Sequence, residues 1–358
     1  MDEDRQTQVL NALKEASHAV QKNPFCDKDS AIKALLQLQN EDIASMFKDH
    51  KLLSLTDHLC NLKSLVHELR ESRGLRSYLK YREISRLAAS IELVIQAWID
   101  RKNLDKLTKT LQLQTLYQQI KLLEAFESRL SQGFDGELQD SILRSGVFRV
   151  LESLLCNPKL DIRVRDQAAS AMAALVQFNK DVFVGEVMAG GYVVQALVSM
   201  TSVKAIKVLS SLIMAIKSPF VDEIHYQGGI QRILGFLGDP NKEIRVSAME
   251  CAMEIAYYGR KEAIEALLKG GVVKRLVELQ KSADDEELKA MEMEFAKREK
   301  AFRGCVARFA IQMEVGQGLR QRERRSLKGE MLERVREVVE SEAEAATIVA
   351  EILWGSTP

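Results

Sequence analysis

The chain holds only five prolines and two tryptophans, and its five cysteines (Cys26, Cys60, Cys156, Cys251, Cys305) show neither CxxC nor CxH spacing. So little proline predicts a nearly all-helical fold, because many helices can run without meeting a residue that breaks them. Cysteines scattered in this way argue against a disulfide framework or a cysteine-based metal site. They read as reduced, intracellular thiols packed as small hydrophobes. Net charge is missing too: Lys plus Arg and Asp plus Glu stand at 51 each, so bulk charge gives no reason to expect a nucleic-acid partner. The longest apolar runs, such as SLIMAI around Met214, stop far short of the ~20 residues that a membrane span requires. The start, MDEDRQTQVL, is acidic and polar where a secretory signal needs a basic start and an apolar core. A cytoplasmic protein, with the nucleus as a second address, is the expectation.

Motifs that carry chemistry are equally scarce. His18, His50, His58, His67 and His225 form no HExxH or HxxxH and pair with no cysteine at ligand spacing, so no metal is expected. Every double glycine is followed by an apolar stretch rather than the Lys-Ser/Thr of a phosphate loop, and no GxSxG elbow occurs. Glu340, Glu342 and Glu344 lie in solvated helical text. The chain is expected to hold no catalytic residue and no cofactor, and not to be an enzyme.

What the chain does have is repetition. The strings ILRSGVFRVLESLL, VMAGGYVVQALVSM, HYQGGIQRILGFLG and LLKGGVVKRLVELQ each end a helix-like run in glycine and continue at once into an apolar stretch. The anchoring glycines, Gly146, Gly191, Gly229 and Gly271, are about 45, 38 and 42 residues apart, a period of helical solenoids. They are read as structural turn residues. In the third repeat the punctuation predicts a short helix over Phe220 to Gln227, a second over Ile230 to Leu237, and a third over Lys242 to Tyr258 after Asp239-Pro240. Pro158 marks the same turn in CNPKLD, and Ser218-Pro219 reads as an N-cap followed by proline at the first helical position. A short first helix, a glycine turn and two longer helices make a three-helix unit.

The Gly-Val/Ile/Tyr-x-x-Leu/Val-x-x-Leu/Met pattern and the alanine-rich third helices, DQAASAMAALV and VSAMECAMEIA, resemble the armadillo repeat family over residues 134–281. As a whole the chain resembles plant armadillo-repeat proteins that carry a helical bundle and no U-box. That resemblance implies an all-α fold, an N-terminal helical bundle followed by a right-handed armadillo-type α-solenoid, and noncatalytic protein binding along the third helices.

The expected organisation has three parts. Residues 1–130 read as a four- or five-helix bundle: candidates near Gln6 to Gln21 and Ser30 to Phe47, then one amphipathic helix each for Leu52 to Leu69, Leu87 to Trp98 and Leu104 to Leu123, with breaks at Asn23-Pro24 and Gly74. The repeats fill 134–281. Residues 282–358 read as a degenerate repeat with a charged insertion, SADDEELKAMEMEFAKREKAFRG, an arginine-rich helix and a closing helix over Ala343 to Trp354.

Two basic clusters admit two readings each. Arg320, Arg322, Arg324, Arg325 and Lys328 make either a localisation or docking signal or a solvated helix face. Arg70, Arg73, Arg76, Lys80, Arg82 and Arg86 around Gly74 make either a contact for anionic lipid or an exposed corner. On the family resemblance the partner-binding groove passes Ser170 and Ala174, Ser210 and Met214, and Glu250 and Glu254, at places where importin-type members carry Trp and Asn. No Trp or Asn stands at any of the six, and the two tryptophans, Trp98 and Trp354, lie outside the repeats. Glu250 and Glu254, one turn apart, instead favour an extended basic segment of a protein partner. The alternative is a peripheral membrane or signalling module that uses the Gly74 corner.

Overall fold

The computed structural model describes residues 2–22, 53–72, 74–109, 115–290 and 302–354, and among them all regular structure is helical. In chain order the helices are α1 (Asp2–Lys22), α2 (Leu53–Glu71), α3 (Leu75–Lys109), α4 (Leu116–Ser131), α5 (Gly136–Ser145) and α6 (Val147–Cys156). There follow α7 (Ile162–Phe178), α8 (Lys180–Met188), α9 (Tyr192–Ser199), α10 (Val203–Ile216), α11 (Ser218–Tyr226) and α12 (Gly229–Phe236). The last are α13 (Lys242–Tyr258), α14 (Lys261–Lys269), α15 (Val272–Ala290), α16 (Cys305–Val315), α17 (Gln321–Val338) and α18 (Glu342–Trp354). They form two compact units, Met1–Leu111 with Asp135–Val147, and Gln112–Phe134 with Phe148–Pro358. The candidate helix near Ser30 to Phe47, the Asn23-Pro24 break, Cys26 and His50 lie outside the described residues.

In the first unit α1, α2 and α5 all pack on α3. Ile84, Ala88, Ile91, Ile95 and Trp98 recur at three- or four-residue spacing along α3 and close a core with Leu10 and Leu13 of α1 and Leu55, Leu59 and Leu62 of α2. Burying each such leucine contributes roughly 1.5–3 kcal/mol. Polar side chains fix the register: Gln21 Nε2 donates to Glu92 Oε2 at 2.8 Å, and Lys80 Nζ lies 2.7 Å from Glu68 and 3.1 Å from Glu83. The helix expected over Leu104 to Leu123 is in fact two. α3 continues to Lys109, and a new helix starts at Leu116, where the Thr115 N–H donates to the Gln118 side chain at 3.2 Å. The five-residue step from Leu111 to Leu116 departs from the three-or-four spacing on either side of it and is the sequence's one mark of the break.

The second unit is an armadillo-type α-solenoid. Its clearest repeat is α11, α12 and α13, with nine, eight and seventeen residues, so only the third helix is long, not the second and third as expected. Third helices start on polar caps: Asp161 accepts from the Arg163 N–H at 2.9 Å, Ser202 from the Ala205 N–H at 3.0 Å and Asn241 from the Glu243 N–H at 2.9 Å. Their alanines, such as Ala168, Ala171, Ala248 and Ala252, are fully buried, which lets neighbouring helices approach closely. Ser218 is not the N-cap of α11. Lys217 takes that place with φ 70 and ψ −143, and the Ser218 hydroxyl donates to the Tyr258 carbonyl at 2.6 Å.

One described stretch, Lys180–Ser199, is long and apolar enough to cross a membrane by composition. It bends at Gly190 and Gly191 and buries Phe183, Val187, Val193, Val194 and Leu197 within the array, as a repeat core does.

The expected boundary at 130–134 and the packing differ. α4, on the N-terminal side of it, packs on α7, and α5, on the C-terminal side, packs on α3. At the other end α15 is a second helix, and α16 packs on α13 as the third helix of the same repeat. The charged insertion therefore falls inside a repeat. α17 packs on α15 and α18 on α16.

Candidate functional site

Third helices stack in a row, α4 on α7, α7 on α10, α10 on α13 and α13 on α16. Ser170 and Ala174 on α7, Ser210 on α10 and Glu254 on α13 are half-buried, while Met214 and Glu250 are exposed. All six sequence-derived positions therefore reach solvent on three consecutive helices of the row.

Polar bonds run between the rungs, and sequence reasoning did not find them. Gln167 is buried, donates to Glu127 Oε2 on α4 at 2.5 Å and accepts from Lys204 Nζ on α10 at 2.6 Å. Its amide thus links three helices. Gln177 Nε2 donates to Ser211 Oγ at 2.9 Å, joining α7 to α10 further along. The one available signal was a glutamine within the alanine-rich run of α7, where a core position calls for an apolar residue.

On α13 the face turns acidic and aromatic. Burial pushes the Glu254 carboxyl above its ordinary range, and the charge of Glu250 adds to the rise. No cation among the described residues pairs with either carboxylate. Tyr257 and Tyr258 meet edge to face at 4.7 Å between ring centroids, and burial, followed by the Glu254 charge, raises the Tyr258 phenol. Beneath them the Cys251 thiol is buried and pushed up to about 12. This arrangement offers negative charge beside aromatic and aliphatic surface. Among the described residues no three His, Cys, Asp or Glu side chains gather as a metal site would require.

The turn glycines sit at helix junctions. Gly146, Gly191 and Gly271 adopt φ of 68, 68 and 83. In the third repeat the left-handed residue is Gly228, with φ 70, while Gly229 opens α12. A Cβ at Gly229 would stand 2.9 Å from both Ile224 Cγ2 and Val198 Cγ1, so its smallness serves packing.

Of the 320–328 basic cluster, Arg324 donates to the Gly316 and Leu319 carbonyls at 2.6 and 3.1 Å, and Lys328 to Glu314 at 2.7 Å. Arg320, Arg322 and Arg325 are exposed. The cysteines divide as well: Cys251 and Cys305 are buried, but Cys60 and Cys156 are exposed, against the expectation that all pack as small hydrophobes.

No family model and no curated protein matches the chain. Solved structures similar to it include a designed armadillo repeat protein, YIII(Dq)4CqI, at 16% identity over 70% of this chain and 99% of that one, with a TM-score of 0.46. A second designed armadillo repeat protein, in complex with the peptide (KR)4, is 16% identical over 71% and 98%, at 0.47. A computationally designed armadillo repeat protein for modular peptide recognition is 17% identical over 72% and 99%, at 0.45. The armadillo-type assignment stands on this chain's own geometry: a glycine turn between two short helices, a long third helix, and third helices in a row.

Proposed function

We propose that the protein is a noncatalytic interaction scaffold whose third-helix face takes an extended, basic segment of a protein partner. One observation carries the reading. Glu250 and Glu254 share a face of α13, no described cation pairs with either, and Glu254 is held partly away from water. A half-buried carboxylate without a counter-charge is raised in free energy, and a Lys or Arg brought by a ligand relieves it. The neighbouring rungs present Ser210 and Met214, and Ser170 and Ala174, which are small or flexible and leave room for side chains of an extended backbone.

The test is binding of a fluorescent peptide of alternating Lys and Arg to the full chain, read by anisotropy at several salt concentrations. Wild type is expected to bind with a steep salt dependence. Glu250→Lys with Glu254→Lys is expected to weaken binding about tenfold or more and to flatten that dependence. Equal binding by both proteins at low salt would place recognition elsewhere.

A further inference from the structure

The first two turns of α3 run past the core. Its buried residues begin at Ile84, while Leu75, Tyr78 and Leu79 are 83%, 58% and 56% exposed. Leu75, Leu79, Arg82 and Arg86, at spacings of four, three and four, share the side of the helix opposite Ile84, Ala88 and Ile91. Arg76, Arg82 and Arg86 are exposed, and no carboxylate among the described residues pairs with them. The nearby acids are already engaged, since Lys80 holds both Glu68 and Glu83. The stripe thus joins a surfaced apolar end to arginines without counter-charge.

We propose that this stripe of α3 docks on an anionic phospholipid surface. A bilayer is favoured over a protein groove because Leu75, Tyr78 and Leu79 stand exposed together at a helix end beside the Gly74 turn, where φ is 68, with unpaired arginines behind them. An exposed apolar helix end seats among acyl chains without needing a matching cavity. Tyr78 carries an apolar ring with a polar tip, the chemistry that settles at the headgroup level. Arg82 and Arg86, one and two turns behind the leucines, then lie at the depth of the phosphates. Apolar insertion and charge attraction together make the kind of two-part signal that holds a protein on a membrane.

The experiment is co-sedimentation of the full chain with vesicles of phosphatidylcholine alone and with vesicles carrying a minority of phosphatidylserine. Wild type is expected in the pellet with the anionic vesicles and in the supernatant with the neutral ones. Leu75→Ser with Leu79→Ser lowers the partition coefficient by about tenfold or more. Arg82→Gln with Arg86→Gln lowers it by about thirtyfold, roughly fivefold for each arginine. All these side chains are exposed, so thermal midpoints should match wild type. Wild type that stays in the supernatant with anionic vesicles overturns the membrane assignment and points the stripe at a protein partner. So does sedimentation of both double variants at the wild-type level.

Discussion

Glu254 stands one turn beyond Glu250 on α13, and its carboxyl is pushed upward first by burial and then by that neighbour's charge. The pair sits where the third-helix face changes from small and aliphatic side chains to acidic ones, with Tyr257 and Tyr258 on the following turn.

The raised carboxyl makes stability depend on pH. A carboxyl whose folded pKa exceeds its unfolded value near 4.5 adds stability that is fully present below the unfolded pKa and is lost as pH rises through the folded one. Glu254→Gln is therefore expected to raise the urea midpoint at neutral pH, corresponding to a stability gain on the order of 0.5 kcal/mol after solvent screening. At a pH well below 4.5 the two proteins should unfold together. Loss of stability at neutral pH would mean that the carboxylate is favourably paired.

Gly228 and Gly229 should fail in different ways. At Gly228 the space around a Cβ is open and φ is 70, so Gly228→Ala should cost about 1 kcal/mol from conformation alone, and Gly228→Asn less, because asparagine tolerates the left-handed region. At Gly229 the obstacle is Ile224 and Val198, so Gly229→Val should cost about 1–3 kcal/mol by overpacking. Urea denaturation of the three variants orders them, and an unchanged midpoint for Gly229→Val would contradict the repeat register.

Gln167 should behave as a joint rather than as a surface residue. Gln167→Ala removes the acceptor of Lys204 and the donor to Glu127, at an expected cost of about 1–3 kcal/mol. In a double-mutant cycle with Lys204→Ala the coupling should be at least about 0.5 kcal/mol. Additive effects would show that the bonds across the rungs add little.

The third repeat was legible because its punctuation is chemical. Helices expected over Phe220 to Gln227, Ile230 to Leu237 and Lys242 to Tyr258 were found at Ser218–Tyr226, Gly229–Phe236 and Lys242–Tyr258, set off by Gly228-Gly229 and Pro240. α4 was legible only in its first turns, as the end of a helix expected over Leu104 to Leu123, and not as a rung. Its leucine period says which face is buried, not against which helix; the partner is α7, to which Glu127 is tied by the Gln167 amide. For the site, sequence spacing placed Glu250 and Glu254 on one face. Whether Glu254 lay in water or partly out of it depended on the neighbouring helices, which no local pattern records. The apolar end of α3 went unread for a similar reason. Leu75 and Leu79 look like core leucines until the core is seen to begin at Ile84.

The turn after α16 is tied to the end of α13, where the N–H groups of Gln317 and Gly318 both donate to the Tyr257 carbonyl, at 2.7 and 3.3 Å. A Cβ at Gly316 would collide with that same carbonyl, so the strand of chain lies flush on its neighbour. In a linear stack each unit is as durable as its own packing plus its coupling to the units beside it. This terminal coupling combines apolar contact with directional bonds, and the last rung can leave only by breaking both together. Unzipping of the array is thereby discouraged from its C-terminal side, and a fray that starts there carries α13 with it.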